Sequence, residues 1–163
     1  MGGTVDVVRI VVVGAGEVGS YVAALLSREG NDVVVVDERR DPLTKVERDN
    51  DVLTVVGDAT NPSTLLEAEV DKAEVLVAVT QSYKTNLLVC LQVRQARGEK
   101  PLSTIARIDD PELRGPAGRK IREAMGVDLV LDPDEQTAGA IQELLLYRGA
   151  RNLYEMAGGE VLL

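Results

Sequence analysis

The segment Gly14-Ala15-Gly16-Glu17-Val18-Gly19 has the residue types and spacing of an anion cradle. It follows a β-branched run, Val8 to Val13, and opens a stretch with helical periodicity. In G-x-G-x-x-G the first glycine, Gly14, permits a tight turn. The second, Gly16, leaves the backbone bare for a pyrophosphate. The third, Gly19, lets a helix pack close to its strand. The unsatisfied N–H groups of the first helical turn then face the anion, helped by the helix dipole. Asp37 lies at the ~20-residue distance at which a carboxylate accepts from a ribose diol. Its charge opposes a 2′-phosphate, which favours NAD over NADP. Arg39 and Arg40 follow and act against that preference, since an arginine can receive the extra phosphate. Alone, the motif is also an ordinary glycine turn, so its context decides.

That context is six alternations of strand and helix. The strands are expected at Val8–Val13, Val33–Val36, Leu53–Val56, Glu74–Val79, Ser103–Ile108 and Val127–Leu131. Continuous apolar runs such as VVVV mark strands buried on both faces of a parallel sheet. Between them, Val18, Val22, Leu25 and Leu26 recur at helical spacing up to Gly30. A short helix starts at Pro42, and Asn61-Pro62 reads as an N-cap and first helical position. A longer helix runs from Tyr83 to Gln95, and another from Asp110-Pro111 towards Gly126. Asp132-Pro133, with Glu135 at capping-box spacing, starts a last helix through Leu144, Leu145 and Leu146. The expected fold is α/β: a doubly wound, Rossmann-like, six-stranded parallel sheet in order 3-2-1-4-5-6 with helices on both faces.

In such a sheet ligands lie beyond the carboxyl ends of the strands, where the order reverses. The residues gathered there are the candidate binding set. Strand one contributes Gly14, Ala15, Gly16, Glu17, Val18 and Gly19; strand two contributes Asp37 and Glu38. Strand three contributes Asp58, an acceptor for an adenine amino group, and the small Ala59; an Asp there also suits a simple turn. Strand four contributes Val79, Thr80 and Gln81, near a diphosphate or second ribose. Strand five contributes Arg107, a cation in an apolar strand that requires a partner: Asp37, Asp58 or a ligand phosphate.

No residue set supports catalysis. The chain has no histidine, which removes the commonest general base and metal ligand. No Tyr is followed by a Lys four residues on, and no Ser or Cys lies near a plausible base. The single cysteine, Cys90, sits in an apolar helical stretch and reads as core. With 163 residues the chain fits one domain. Its core must be aliphatic, because it has no Phe or Trp. A net charge of −9 (18 basic, 27 acidic residues) argues against nucleic acid and anionic lipid as partners. The amino-terminal residues lack a signal-peptide pattern, and no apolar run reaches the ~18–20 residues that span a bilayer. The expectation is a cytoplasmic protein without direct membrane insertion.

Several segments occur together in a set that generic Rossmann dehydrogenases do not share. They are GAGEVGSYVA, VVVVDERR, VVGDATNPSTL, DKAEVLVAVTQSYKTN (with Thr85 and Asn86), TIARIDDPE and GVDLVLDPDE. Over residues 8–146 the chain resembles the nucleotide-binding N-terminal lobe of the RCK/KTN family, most of all the regulatory subunits of Trk-type potassium uptake systems. The resemblance implies a cytoplasmic protein peripheral to the inner face of the cell membrane. It would assemble as a homodimer or higher ring on a potassium-translocating membrane subunit and control conductance through a bound nucleotide. It also implies that the Leu144–Leu146 helix crosses to a partner subunit. Residues 1–149 would form the lobe, and residues 150–163 would begin a connector to a C-terminal lobe. ATP-binding members of the family carry an Arg inside the glycine loop, where this chain has Glu17. A carboxylate beside a triphosphate is unfavourable, so NAD or NADH is expected ahead of ATP or ADP.

Overall fold

The computed structural model describes residues 7–132. The expected last helix, its crossing to a partner and the 150–163 connector lie outside the described residues.

Six parallel strands form one sheet in the order β3-β2-β1-β4-β5-β6. They are β1 (Arg9–Val13), β2 (Asp32–Asp37), β3 (Leu53–Val56), β4 (Val75–Ala78), β5 (Ser103–Arg107) and β6 (Leu129–Leu131). The central strand β1 registers Val13 against Val36 on one side and Ala78 on the other. Its side chains alternate between two cores. Ile10 and Val12 join one, Val11 and Val13 the other, and none of the four is more than 1% exposed. This two-sided burial is why the strand reads as an unbroken β-branched run.

The helices divide between the faces. On the Ile10 side lie α1 (Glu17–Arg28), through Val22, Ala23 and Leu26, and α2 (Arg40–Asp49), through Leu43 and Val46. On the Val11 side lie α3 (Pro62–Glu67), through Leu65, and α4 (Tyr83–Arg97), through Leu87, Val89, Cys90 and Val93. The sheet order and the two helical layers are those of the doubly wound fold expected from the sequence.

Some local expectations change. The single helix expected between Asp110 and Gly126 is two: α5 (Pro111–Arg114) and α6 (Arg119–Ala124), separated by a 3-10 turn at Pro116–Gly118. Pro116 cannot donate to a helical ladder and biases Gly115 to extended backbone, here φ −72° and ψ −178°. Helix α2 begins at Arg40, so Pro42 falls inside the first turn, where its missing N–H has no partner to lose. Asn61 occupies the N-cap position of α3, but its side chain makes no capping bond; the Thr64 N–H donates to its backbone carbonyl instead. Asp110 does cap α5, accepting from the N–H groups of Glu112 and Leu113 at 2.9 and 3.0 Å.

Candidate functional site

The carboxyl ends of β1 to β5 surround a cleft of about 830 Å³. That volume is in the range that holds a nucleotide-sized ligand. The glycine loop forms its floor. Gly14 has φ +103°, and its N–H donates to the Val36 carbonyl at 2.8 Å, which turns the chain sharply off β1. A Cβ there would lie 3.0 Å from the Thr80 nitrogen. The other two glycines separate cleanly. A Cβ on Gly19 would lie 1.7 Å from the Gly14 carbonyl oxygen, so α1 packs directly under the loop. A Cβ on Gly16 would meet nothing within 4 Å, because Gly16 borders the open cleft. The N–H groups of Gly16, Glu17 and Val18 have no hydrogen-bond acceptor among the described residues. They are the free donors of a helix N-terminus, and they face the cleft.

Asp37 closes the second side. Its Oδ2 accepts from the Ala15 N–H at 2.9 Å, and its Oδ1 accepts from the Arg39 N–H at 2.8 Å. Each carboxylate oxygen can accept again, so the group that holds the loop retains capacity for two ligand hydroxyls. The exposed Arg39 guanidinium lies 3.6 Å from Asp37 Oδ1 and lines the cleft, whereas Arg40 starts α2 and does not. Glu38 also lines it.

On the third side Asp58 folds into a local turn. Its Oδ1 accepts from the Thr60 N–H at 2.8 Å and from the Thr60 hydroxyl at 2.7 Å. Those two bonds hold the carboxyl below its ordinary range, the hydroxyl contributing most. Ala59, 7% exposed, lines the cleft beside it. Gln92 of α4 supports this turn by donating from Nε2 to the Thr60 carbonyl at 2.9 Å.

The fourth side is Val79, Thr80 and Gln81, with Arg107 beyond them. Arg107 forms no ion pair with Asp37 or Asp58, and no carboxylate lies within 4 Å of it among the described residues. Its Nε is buried with no hydrogen-bond partner there. Of the three partners that the sequence leaves open for this cation, a ligand phosphate is the one the fold has not excluded.

Of the candidate residues, Gly14, Gly16, Glu17, Val18, Asp37, Glu38, Asp58, Ala59, Val79, Thr80, Gln81 and Arg107 therefore line one cleft. Ala15 and Gly19 do not. Both are buried, Ala15 with its N–H committed to Asp37 and Gly19 beneath the loop. Sequence reasoning on binding residues passed over Thr60, Ser82 and Thr85 in the lining and Asn86 behind it. The Ser82 hydroxyl oxygen accepts from the Thr85 N–H at 3.3 Å, which caps α4. The available signal was the Thr85-Asn86 pair, which stands out only as part of the family-like segment.

Comparison with known proteins agrees with this geometry. The TrkA-N domain model matches residues 10–133. The Trk system potassium uptake protein TrkA of Halomonas elongata is 33% identical over 155 residues, covering 95% of this chain and 34% of that protein. TrkA of Vibrio alginolyticus is 34% identical over 156 residues, again covering 95% and 34%. The chain thus spans about a third of the length of these curated relatives. Among solved structures, the RCK domain of GsuK aligns with TM-score 0.63 at 26% identity, covering 91% of this chain and 30% of that one. The GsuK channel bound to NAD aligns with TM-score 0.61 at 22% identity, covering 78% and 22%. GsuK bound to ADP aligns equally well, with TM-score 0.61 at 22% identity over 78% and 32%. With a family model that matches most of its length and a glycine cleft at the switch point of its sheet, this chain belongs to the TrkA-N domain family.

Proposed function

We propose that this chain is an NAD(H)-binding regulatory lobe of a potassium uptake system, not an enzyme. The observation that carries the reading is the meeting of two features in one cleft. The unpartnered N–H groups of Gly16, Glu17 and Val18 offer a pyrophosphate site, and Asp37 stands across from them with free acceptor capacity. A dinucleotide needs both together. Asp58 and Ala59 would border the adenine, while Thr80, Gln81 and Arg107 would border the second phosphate and ribose.

The relatives named as potassium uptake proteins, and the GsuK channel bound to NAD, support a role in potassium transport. The absence of any histidine from the sequence supports binding without hydride chemistry. Among the described residues no helix is long and apolar enough to cross a membrane. The lobe would act at the inner face of the cell membrane as a dimer or larger ring on a potassium-translocating subunit. A ligand there shifts the pore only if it binds two ring states with different affinity. We further propose that residues 1–149 form this lobe and that residues 150–163 begin the connector to the next one.

An adenine nucleotide is the second reading, favoured by Arg107, which has no carboxylate partner among the described residues, and by GsuK bound to ADP. Glu17 at the first position of α1, exposed in the cleft, weighs against a terminal phosphate and so against ATP. Calorimetric titration with NAD, NADH, NADP, ADP and ATP separates the readings. NAD or NADH should bind most tightly. Tighter ATP or ADP binding would favour the second reading, and no binding at millimolar concentration would sink both.

A further inference from the structure

Asn86 has no exposed surface and lies in the first turn of α4, behind the cleft wall. Its amide is fully occupied. Oδ1 accepts from the Thr80 N–H at 3.0 Å and from the Thr80 hydroxyl at 2.7 Å. Nδ2 donates to the Thr80 carbonyl at 3.0 Å and to the Arg107 carbonyl at 2.9 Å. A primary amide has two donor hydrogens and two acceptor lone pairs, and all four are used. None is left for a ligand.

The placement of these bonds is specific. Strands β4 and β5 pair as far as Ala78 and Ala106, and the chains then separate at the cleft. The Asn86 side chain takes over where that ladder stops, and every partner of its amide group belongs to Thr80 or Arg107, two residues of the lining. Its neighbours on α4, Leu87, Val89 and Cys90, fill the apolar core. An amide among them is costly unless satisfied, so four bonds to two cleft residues account for its presence.

We propose that Asn86 is a positioning residue for the cleft. It fixes Thr80 and Arg107 relative to each other, and so sets how firmly the part of a ligand on the β4–β5 side is held. This rests on reading the cleft as a dinucleotide site. In that geometry AMP would occupy only the β1–β3 side, against Asp37 and Ala59, while NADH would extend over both sides.

The test is Asn86→Asp in the whole chain, titrated with NADH and with AMP. The substitution keeps the shape and the acceptor for Thr80. It removes both donors and leaves two carbonyl oxygens facing a carboxyl group. NADH should bind about tenfold more weakly or worse, while AMP should change by less than about twofold. Parallel weakening of both ligands would mean a general structural role, and unchanged NADH binding would mean no role; either overturns the proposal. Failure of the unaltered chain to bind NADH would instead refute the dinucleotide reading, and the proposal with it. Should the variant not fold, amide hydrogen exchange of the unaltered chain decides. The Thr80 N–H should be protected, and NADH but not AMP should protect it further. Exchange at Thr80 as fast as at the exposed Gln81 would overturn the proposal.

Discussion

Asp37 and Ala15 are joined by a hydrogen bond from the Ala15 N–H to Asp37 Oδ2, 2.9 Å long, which ties the end of β2 to the glycine loop leaving β1. The same carboxylate that would receive a ribose therefore also holds the loop that would receive the pyrophosphate. Asp37→Ala should weaken NAD binding by about 1.5–3 kcal/mol, the worth of a charge-assisted hydrogen bond, with some further loss from a loosened loop. Calorimetry on the purified variant checks this, and unchanged affinity would refute the ribose role.

The glycines of the loop differ in what they do, and alanine substitutions should separate them. Gly16 has φ −69°, and a Cβ there touches nothing. Gly16→Ala should melt near the unaltered temperature yet bind nucleotide poorly, because the methyl group enters the part of the cleft proposed to take phosphate. Gly19→Ala puts a methyl 1.7 Å from a backbone oxygen. Overpacking of this kind costs roughly 1–3 kcal/mol or more, so its melting temperature should drop whether or not ligand is present. Thermal melts with and without NADH distinguish the two.

Arg107 bears a charge that no described carboxylate balances. Arg107→Met should leave the ligand-free melting temperature unchanged or raise it, since a guanidinium with a buried, unsatisfied Nε is removed. It should weaken binding of NADH and ADP by roughly tenfold and flatten the salt dependence of affinity. A fall in ligand-free stability with affinity intact would assign Arg107 to the fold instead.

Cys90 is buried on α4, and burial, with Asp128 adding to it and Arg94 opposing, pushes its thiol up to about 12 from 9.0. The folded state holds this proton more tightly than the unfolded state. Its contribution to stability is therefore complete below pH 9 and is lost as pH rises from 9 towards 12. Chemical denaturation across that window should show stability falling less steeply in Cys90→Ala, after allowing for the cavity. At pH 8 a thiol reagent should react with the unaltered protein only as fast as the chain opens.

Legibility in the sequence followed the range of the interaction. The central strands were readable because burial on both faces demands unbroken apolar runs such as Val33–Val36. The glycine loop was readable because its three constraints lie within six residues. The break between α5 and α6 was less so: Pro116 signalled it, but the run of charged residues after it kept helical spacing.

The sequence by itself determined the strand–helix alternation, the glycine loop, Asp37 at its partner distance and the absence of histidine, since each is a matter of local residue type and spacing. Only the tertiary structure decided that Arg107 finds no carboxylate among the described residues, that Asp37 grips Ala15, and that Asn86 spends its whole amide on Thr80 and Arg107. The Asp37 and Asn86 contacts join groups 6 to 22 positions apart along the chain. No pattern of adjacent residues encodes them. They are produced by the parallel sheet, which brings the ends of β1, β2, β4 and β5 to the same edge, where each side chain meets groups chosen by the fold.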